Sequence, residues 1–220
     1  MTYASIQEVS PMTALGPVVL EGAFLRLEPV RPVHRDGLLA AAKSSEIWRW
    51  MPANLMDVEA LDRWITEGVQ RESQGLAYPF TVILKESGRI VGSTRYLDVR
   101  VEHGGVEIGW TWYSPDTWGT VVNPEAKLLL LQHAFEDWRA IRVQLKTDGM
   151  NVHSQRAILK LGAKHEGILR QHRIRPDGTI RDTVMFSIVD REWPGIKAEL
   201  LRRVAQARRA HELNSFGVKD

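Results

Sequence analysis

The feature that most constrains the fold of this chain is the passage from residue 106 to residue 138, where a strand pattern runs through a short loop into an apolar helix. Val106, Ile108, Trp110 and Trp112 fall on one face of an extended segment, with Glu107, Gly109, Thr111 and Tyr113 on the other. Asn123-Pro124-Glu125 then has the chemistry of a helix start. Asn123 can cap, Pro124 sits where a missing N–H costs nothing, and Glu125 places an acid in the first turn. The helix that follows, through Trp138, is apolar on most of its surface and is expected to be buried.

Elements on either side follow the same logic. Phe24 to Glu28 alternates as a half-buried strand, and Pro32 opens a helix through Leu38, Leu39 and Ala42. Asp57 is placed to cap a second helix whose apolar residues are Val58, Leu61, Ile65 and Val69. Phe80, Val82 and Leu84 lead through Glu86-Ser87-Gly88 into a second extended run from Ile90, which makes a hairpin. Ile141, Val143 and Leu145 form a further strand, Asn151 caps a short helix ending near Gly162, and a last hairpin turns at Pro176-Asp177-Gly178. Trp193-Pro194 begins the final helix. The order predicts a mixed α+β fold with residues 1–19 as a tail or arm, one domain over 20–206, and a C-terminal tail at 207–220.

Composition excludes several functions. The chain has no cysteine, so disulfides, thiolate metal sites and a cysteine acyl-enzyme are ruled out for it, and a reducing cytoplasm is the natural setting. With 29 basic against 27 acidic residues the net charge is +2, which gives no field implying nucleic acid. No stretch approaches the roughly 20 apolar residues of a membrane helix. A soluble cytoplasmic protein without metal is expected, with a homodimer left open.

The loop between strand and helix, Trp118-Gly119-Thr120-Val121-Val122-Asn123, can offer free backbone N–H groups and the positive end of a helix dipole to a phosphate. A plain turn before a helix reads the same way, so the loop alone decides nothing. The surrounding residues add specificity. Glu107-Ile108-Gly109-Trp110, Trp118-Gly119, Glu125-Ala126, Leu129-Leu130 and His133-Ala134-Phe135 resemble the acetyl-CoA-binding segment of the GNAT superfamily of N-acetyltransferases. Asn151, Ser154, Ala157-Ile158, Leu161-Gly162-Ala163, Glu166-Gly167 and Arg170 resemble the downstream signature of its branch of ribosomal-protein N-terminal acetyltransferases. The likeness spans roughly Leu25 to the last helix.

That resemblance implies a GNAT-like fold: a central twisted, mostly antiparallel sheet of about seven strands, split at a parallel pair around the cofactor and flanked by helices. It also implies acetyl-CoA as acyl donor and an amine as acceptor. Backbone groups of Trp110, Thr111, Trp112 and Tyr113 would meet the pantetheine and the thioester carbonyl. Trp118, Gly119, Thr120, Val121, Val122 and Asn123 would receive the pyrophosphate, and Asn151 and Ser154 would face the pantetheine arm and sulfur. Asn151 can equally be a simple helix cap and Ser154 a solvated hydroxyl. The family's loop usually reads Gln or Arg, two residues, Gly or Ala, one residue, Gly or Ala; the matching positions here are Trp118, Val121 and Asn123. Val121 resists positive φ, so it is expected to crowd the phosphate path.

Without a cysteine, direct attack of a neutral amine on the thioester is the economical route. Glu107, on the strand face opposite Trp110, is the candidate base and Ser154 the candidate acid, with Tyr113 and Tyr96 as other proton donors. Trp48 and Trp50, in the loop over residues 44–54, could wall the acceptor pocket or pack between the first two helices. The alternative function is a degenerate domain of the same family that binds CoA or a partner without catalysis.

Overall fold

The structure, a computed structural model, describes residues 12, 13 and 16–215. Most of the expected N-terminal tail, residues 1–11, 14 and 15, lies outside the described residues, as do residues 216–220. In chain order the elements are β1 (Leu20–Glu21), β2 (Leu25–Pro29), α1 (Arg35–Ala41), α2 (Ser45–Trp48) and α3 (Val58–Ser73). There follow β3 (Ala77–Leu84), β4 (Ile90–Arg100), β5 (Gly105–Tyr113), α4 (Val122–Gln132), β6 (Arg142–Asp148) and α5 (Val152–Lys160). The chain closes with β7 (Lys164–Ile174), β8 (Ile180–Val189) and α6 (Trp193–Ser215), the last running past the domain limit expected at 206.

The strands form one eight-stranded sheet in the order β1-β2-β3-β4-β5-β6-β8-β7. Every neighbouring pair is antiparallel except β5 and β6. The strand beyond the expected seven is β1, only two residues long and too short to show a period.

Helices cover both faces. On one, α4, α5 and α6 bury Leu130, Leu131, Ile158 and Leu200 against Tyr96, Ile108, Leu145 and Phe186 of the sheet. On the other, α1 to α3 and the loop after α2 bury Leu38, Trp48, Leu61, Trp64 and Ile65 against Trp112. Apolar stripes at helical spacing thus meet a sheet whose strands carry apolar residues to both sides, which is the layer arrangement such patterning favours. Caps read from sequence are present at two helices: Asp57 accepts from the N–H of Ala60, and Asn151 from that of Ser154.

The start of α4 differs from expectation. Val121, not Asn123, occupies the N-cap position, and the helix begins at Val122. Glu125 does lie in the first turn, but it is 1% exposed, and its carboxylate accepts the N–H groups of Ala23 (2.6 Å) and Phe24 (2.9 Å). It ties the β1–β2 turn to α4. Burial, only partly offset by these backbone donors, raises its pKa.

Candidate active site

The parallel pair creates the opening. β5 and β6 pair only at Gly105 with Arg142, Val106 with Val143 and Glu107 with Gln144. Beyond that point the strands part, and residues 108–113 pair only with β4 while residues 145–148 pair only with β8. Two strand edges therefore face each other across a wedge with their N–H and C=O groups unpaired by each other, and such groups require partners.

One wall of the wedge leads to the 118–123 loop and the other to α5. Gly119 has φ of +75°, and no atom would meet a Cβ there within 4 Å, so this glycine supplies the left-handed turn and leaves space above it. Val121 sits at φ −69° in the right-handed helical region. The expectation that it must resist a positive φ is thereby corrected: the left-handed residue of this loop is Gly119. The Thr120 hydroxyl accepts the N–H of Val122. Among the described residues the N–H groups of Gly119, Val121 and Asn123 have no acceptor, and they gather at the positive end of α4. Trp118 is 41% exposed, and its ring lies 6.4 Å from that of His153 on α5, which bounds the mouth of the wedge.

On α5, Asn151 spends its side-chain oxygen on the N–H of Ser154 at 3.0 Å, the capping role that sequence allowed. The Ser154 hydroxyl is partly exposed and makes no hydrogen bond among the described residues, so it is free to act.

A β-bulge rearranges the central strand. Ser93 pairs with Trp112 and Arg95 with Gly109, so Trp110 and Thr111 together oppose the single residue Thr94, and Trp110 takes φ of +49°. The extra residue inverts the alternation read from sequence. Val106, Ile108 and Tyr113 join the core under α4, and Thr111 points the same way, its hydroxyl 2.8 Å from that of Thr94. Trp110 and Trp112 instead face α1 to α3. Glu107 therefore shares a face with Trp110 and does not oppose it. The side chains of Trp110 and Trp112 are consequently turned away from the α4 and α5 face, where this stretch of β5 presents Thr111, Tyr113 and its backbone.

Glu107 stands at the apex of the wedge, 1% exposed. Its Oε2 accepts Lys146 Nζ at 2.7 Å and Gln144 Nε2 at 3.0 Å, while Oε1 makes no hydrogen bond among the described residues. A Cβ on Gly109 would stand 3.0 Å from Oε1, so the glycine keeps that oxygen approachable. The other expected site residues divide. Trp48 is a core residue: its Nε1 donates to the Ala42 carbonyl at 2.8 Å and its ring packs 5.2 Å from Trp112. Trp50 is partly exposed with the Arg49 guanidinium over its ring. Tyr96 donates its hydroxyl to the Leu130 carbonyl inside the core and is no donor to the wedge. Tyr113 keeps a buried hydroxyl without a partner among the described residues, and burial raises its pKa.

Sequence reasoning missed two buried cations. Lys127 of α4 is 4% exposed, bonded among the described residues only to the hydroxyls of Thr111 (2.6 Å) and Thr94 (3.4 Å), and burial lowers its pKa to about 7. Arg95 of β4 is 6% exposed, stacked between the rings of Trp64 and Trp110. Lys127 stands directly before the apolar run 128–131, a signal the sequence offers, whereas Arg95, between Thr94 and Tyr96, carries none. Among the described residues no group of three or more His, Cys, Asp or Glu could hold a metal, and no helix is long and apolar enough to cross a membrane.

The chain is similar in sequence and fold to known proteins. The acetyltransferase (GNAT) domain family matches residues 25–164. The uncharacterized N-acetyltransferase p20 of Bacillus licheniformis is 29% identical over 122 residues, 56% of this chain and 67% of that protein. A GCN5-related N-acetyltransferase from Brucella melitensis superposes with a TM-score of 0.81 at 27% identity, covering 87% of each chain. Mycobacterium smegmatis RimJ, solved in complex with CoA-disulfide, has a TM-score of 0.72 at 21% identity over 86% of this chain and 93% of its own, a likeness of fold.

Proposed function

The chain belongs to the acetyltransferase (GNAT) family, and from that premise we propose that it transfers an acetyl group from acetyl-CoA to a primary amine, a protein N-terminus or a small molecule, by direct attack on the thioester. The observation that carries this reading is the wedge between β5 and β6, whose unpaired edges run from the apex at Glu107 to a loop with three free N–H groups. Acetyl-CoA supplies the activated acyl group.

The chain's own residues fit that donor. The N–H groups of Gly119, Val121 and Asn123, with the dipole of α4, suit a pyrophosphate. The free edge of β5 over residues 110–113 suits the amides of a pantetheine arm, and its N–H groups can favour an oxyanion over a carbonyl. Ser154 is the candidate acid, because its hydroxyl is uncommitted and one helical turn from the cap Asn151. Glu107 Oε1 is the candidate acceptor of the amine proton, approached over Gly109, while Lys146 and Gln144 hold the other oxygen in place.

Calorimetric titration with acetyl-CoA, followed by release of free thiol across a panel of primary amines, tests the reading. At one hundred times its dissociation constant a ligand confined to the native state adds about 2.7 kcal/mol of stability. Absence of binding and of thermal stabilisation at millimolar acetyl-CoA refutes the proposal.

A further inference from the structure

Resting on the acetyl-transfer reading, we propose that Arg95 is the anion receptor of the acceptor site and that the acceptor is an amino acid or similar small amine carrying its own carboxylate. The guanidinium is buried, yet Nε and Nη2 have no hydrogen-bond partner, and no carboxylate lies within ion-pair distance of it among the described residues. The acid whose charge acts on it, Glu67 of α3, already holds Arg71 at 2.8 Å. A cation enclosed by the Trp64 and Trp110 rings at 5.0 and 4.8 Å gains cation–π attraction, but rings do not satisfy the planar fork of donors that matches a carboxylate. An unpaired buried charge marks a place where a partner is missing.

Among the described residues three further donors on the same face lack acceptors: Ser93 Oγ, Trp64 Nε1 and Trp112 Nε1. A cluster of buried donors left without acceptors, around a cation with no carboxylate at ion-pair distance among the described residues, fits an anion and not a further cation or an apolar group. Its position fits the acceptor. Arg95 pairs in register with Gly109, the residue that opens the approach to Glu107 Oε1, and the bulge that turns Trp110 onto Arg95 directly follows Gly109 in β5, the strand whose other edge is free beyond Glu107. A carboxylate held at Arg95 leaves an amine a few bonds away directed to that edge. A protein N-terminus, whose first carboxyl is an amide, gains nothing from this cation.

The test uses matched acceptors: amino acids, their carboxamides and the corresponding decarboxylated amines, compared by kcat/KM for thiol release. The acids should exceed their amides by about 10- to 100-fold, the size of a charge-assisted hydrogen-bond pair. Arg95→Gln should abolish that preference and Arg95→Lys retain part of it, with acetyl-CoA binding unchanged in both. The N-acetyl amino acid product should raise the melting temperature of the natural protein and not of Arg95→Gln. Should Arg95→Gln fail to fold, the acid-to-amide ratio in the natural protein and in Arg95→Lys decides alone. Failure of the natural protein to bind acetyl-CoA defeats the acetyl-transfer reading itself. Binding of acetyl-CoA with amides used as well as acids, or with no acid used, overturns the role of Arg95 alone.

Discussion

Lys127→Met is expected to stabilise the protein at neutral pH, and the gain should vanish at high pH. The ammonium lies between α4 and the sheet with only two threonine hydroxyls for partners, and burial brings its pKa from 10.5 to about 7. In the unfolded chain the same group holds its proton up to its ordinary pKa. Between pH 7 and 10.5 the unfolded state therefore binds one proton more than the folded state, and stability must rise with pH by about 1.4 kcal/mol per pH unit. Over the whole interval that amounts to ~5 kcal/mol lost by the natural protein at neutral pH relative to alkaline pH. Methionine has a similar reach and no charge. The hydroxyls it would strand stay paired with each other, since Thr94 and Thr111 are 2.8 Å apart, so the variant gives up only about 1 kcal/mol per lost hydrogen bond. A net gain of about 2–3 kcal/mol at pH 7 follows. Urea denaturation of both proteins from pH 6 to pH 10, read by tryptophan fluorescence, measures the gap while cancelling every other titrating group. A gap that does not narrow as pH rises would refute the reasoning.

Further outcomes bear on the site. Val121→Gly should not tighten acetyl-CoA binding, because Val121 already has a helical φ, and should change stability in chemical denaturation by less than about 1 kcal/mol, since glycine is well accepted at an N-cap. Gly119→Ala, at φ +75°, should cost about 1–2 kcal/mol and weaken acetyl-CoA binding by calorimetry. Ser154→Ala should lower kcat about 10- to 1000-fold with little change in acetyl-CoA affinity, which steady-state kinetics and calorimetry separate. Glu107→Gln should lower kcat with little change in acetyl-CoA affinity, since an amide cannot take the amine proton; losing the ion pair to the partly buried Lys146 should also cost about 1–3 kcal/mol in a melting experiment.

Element order and the position of the strand-to-helix loop at residues 118–123 were legible in the sequence because they depend on neighbours along the chain. Strand alternation, the caps at Asp57 and Asn151, and the glycine at 119 are satisfied within a few residues of themselves. So was the family, through spaced side chains around that loop. The faces of β5 were not legible. An alternation pattern fixes facing only while the strand stays regular, and the bulge at Trp110 is set by hydrogen bonding to β4, which no local pattern encodes. That one residue moved Glu107 to the side of Trp110 and carried Trp112 into the α1 to α3 core. Trp48 likewise became a core residue through packing against Trp112 from a distant strand. The two cations carry the same lesson: Lys127 and Arg95 read as ordinary charges in the chain, and only tertiary burial strips away their water, leaving two hydroxyls for one and two rings for the other.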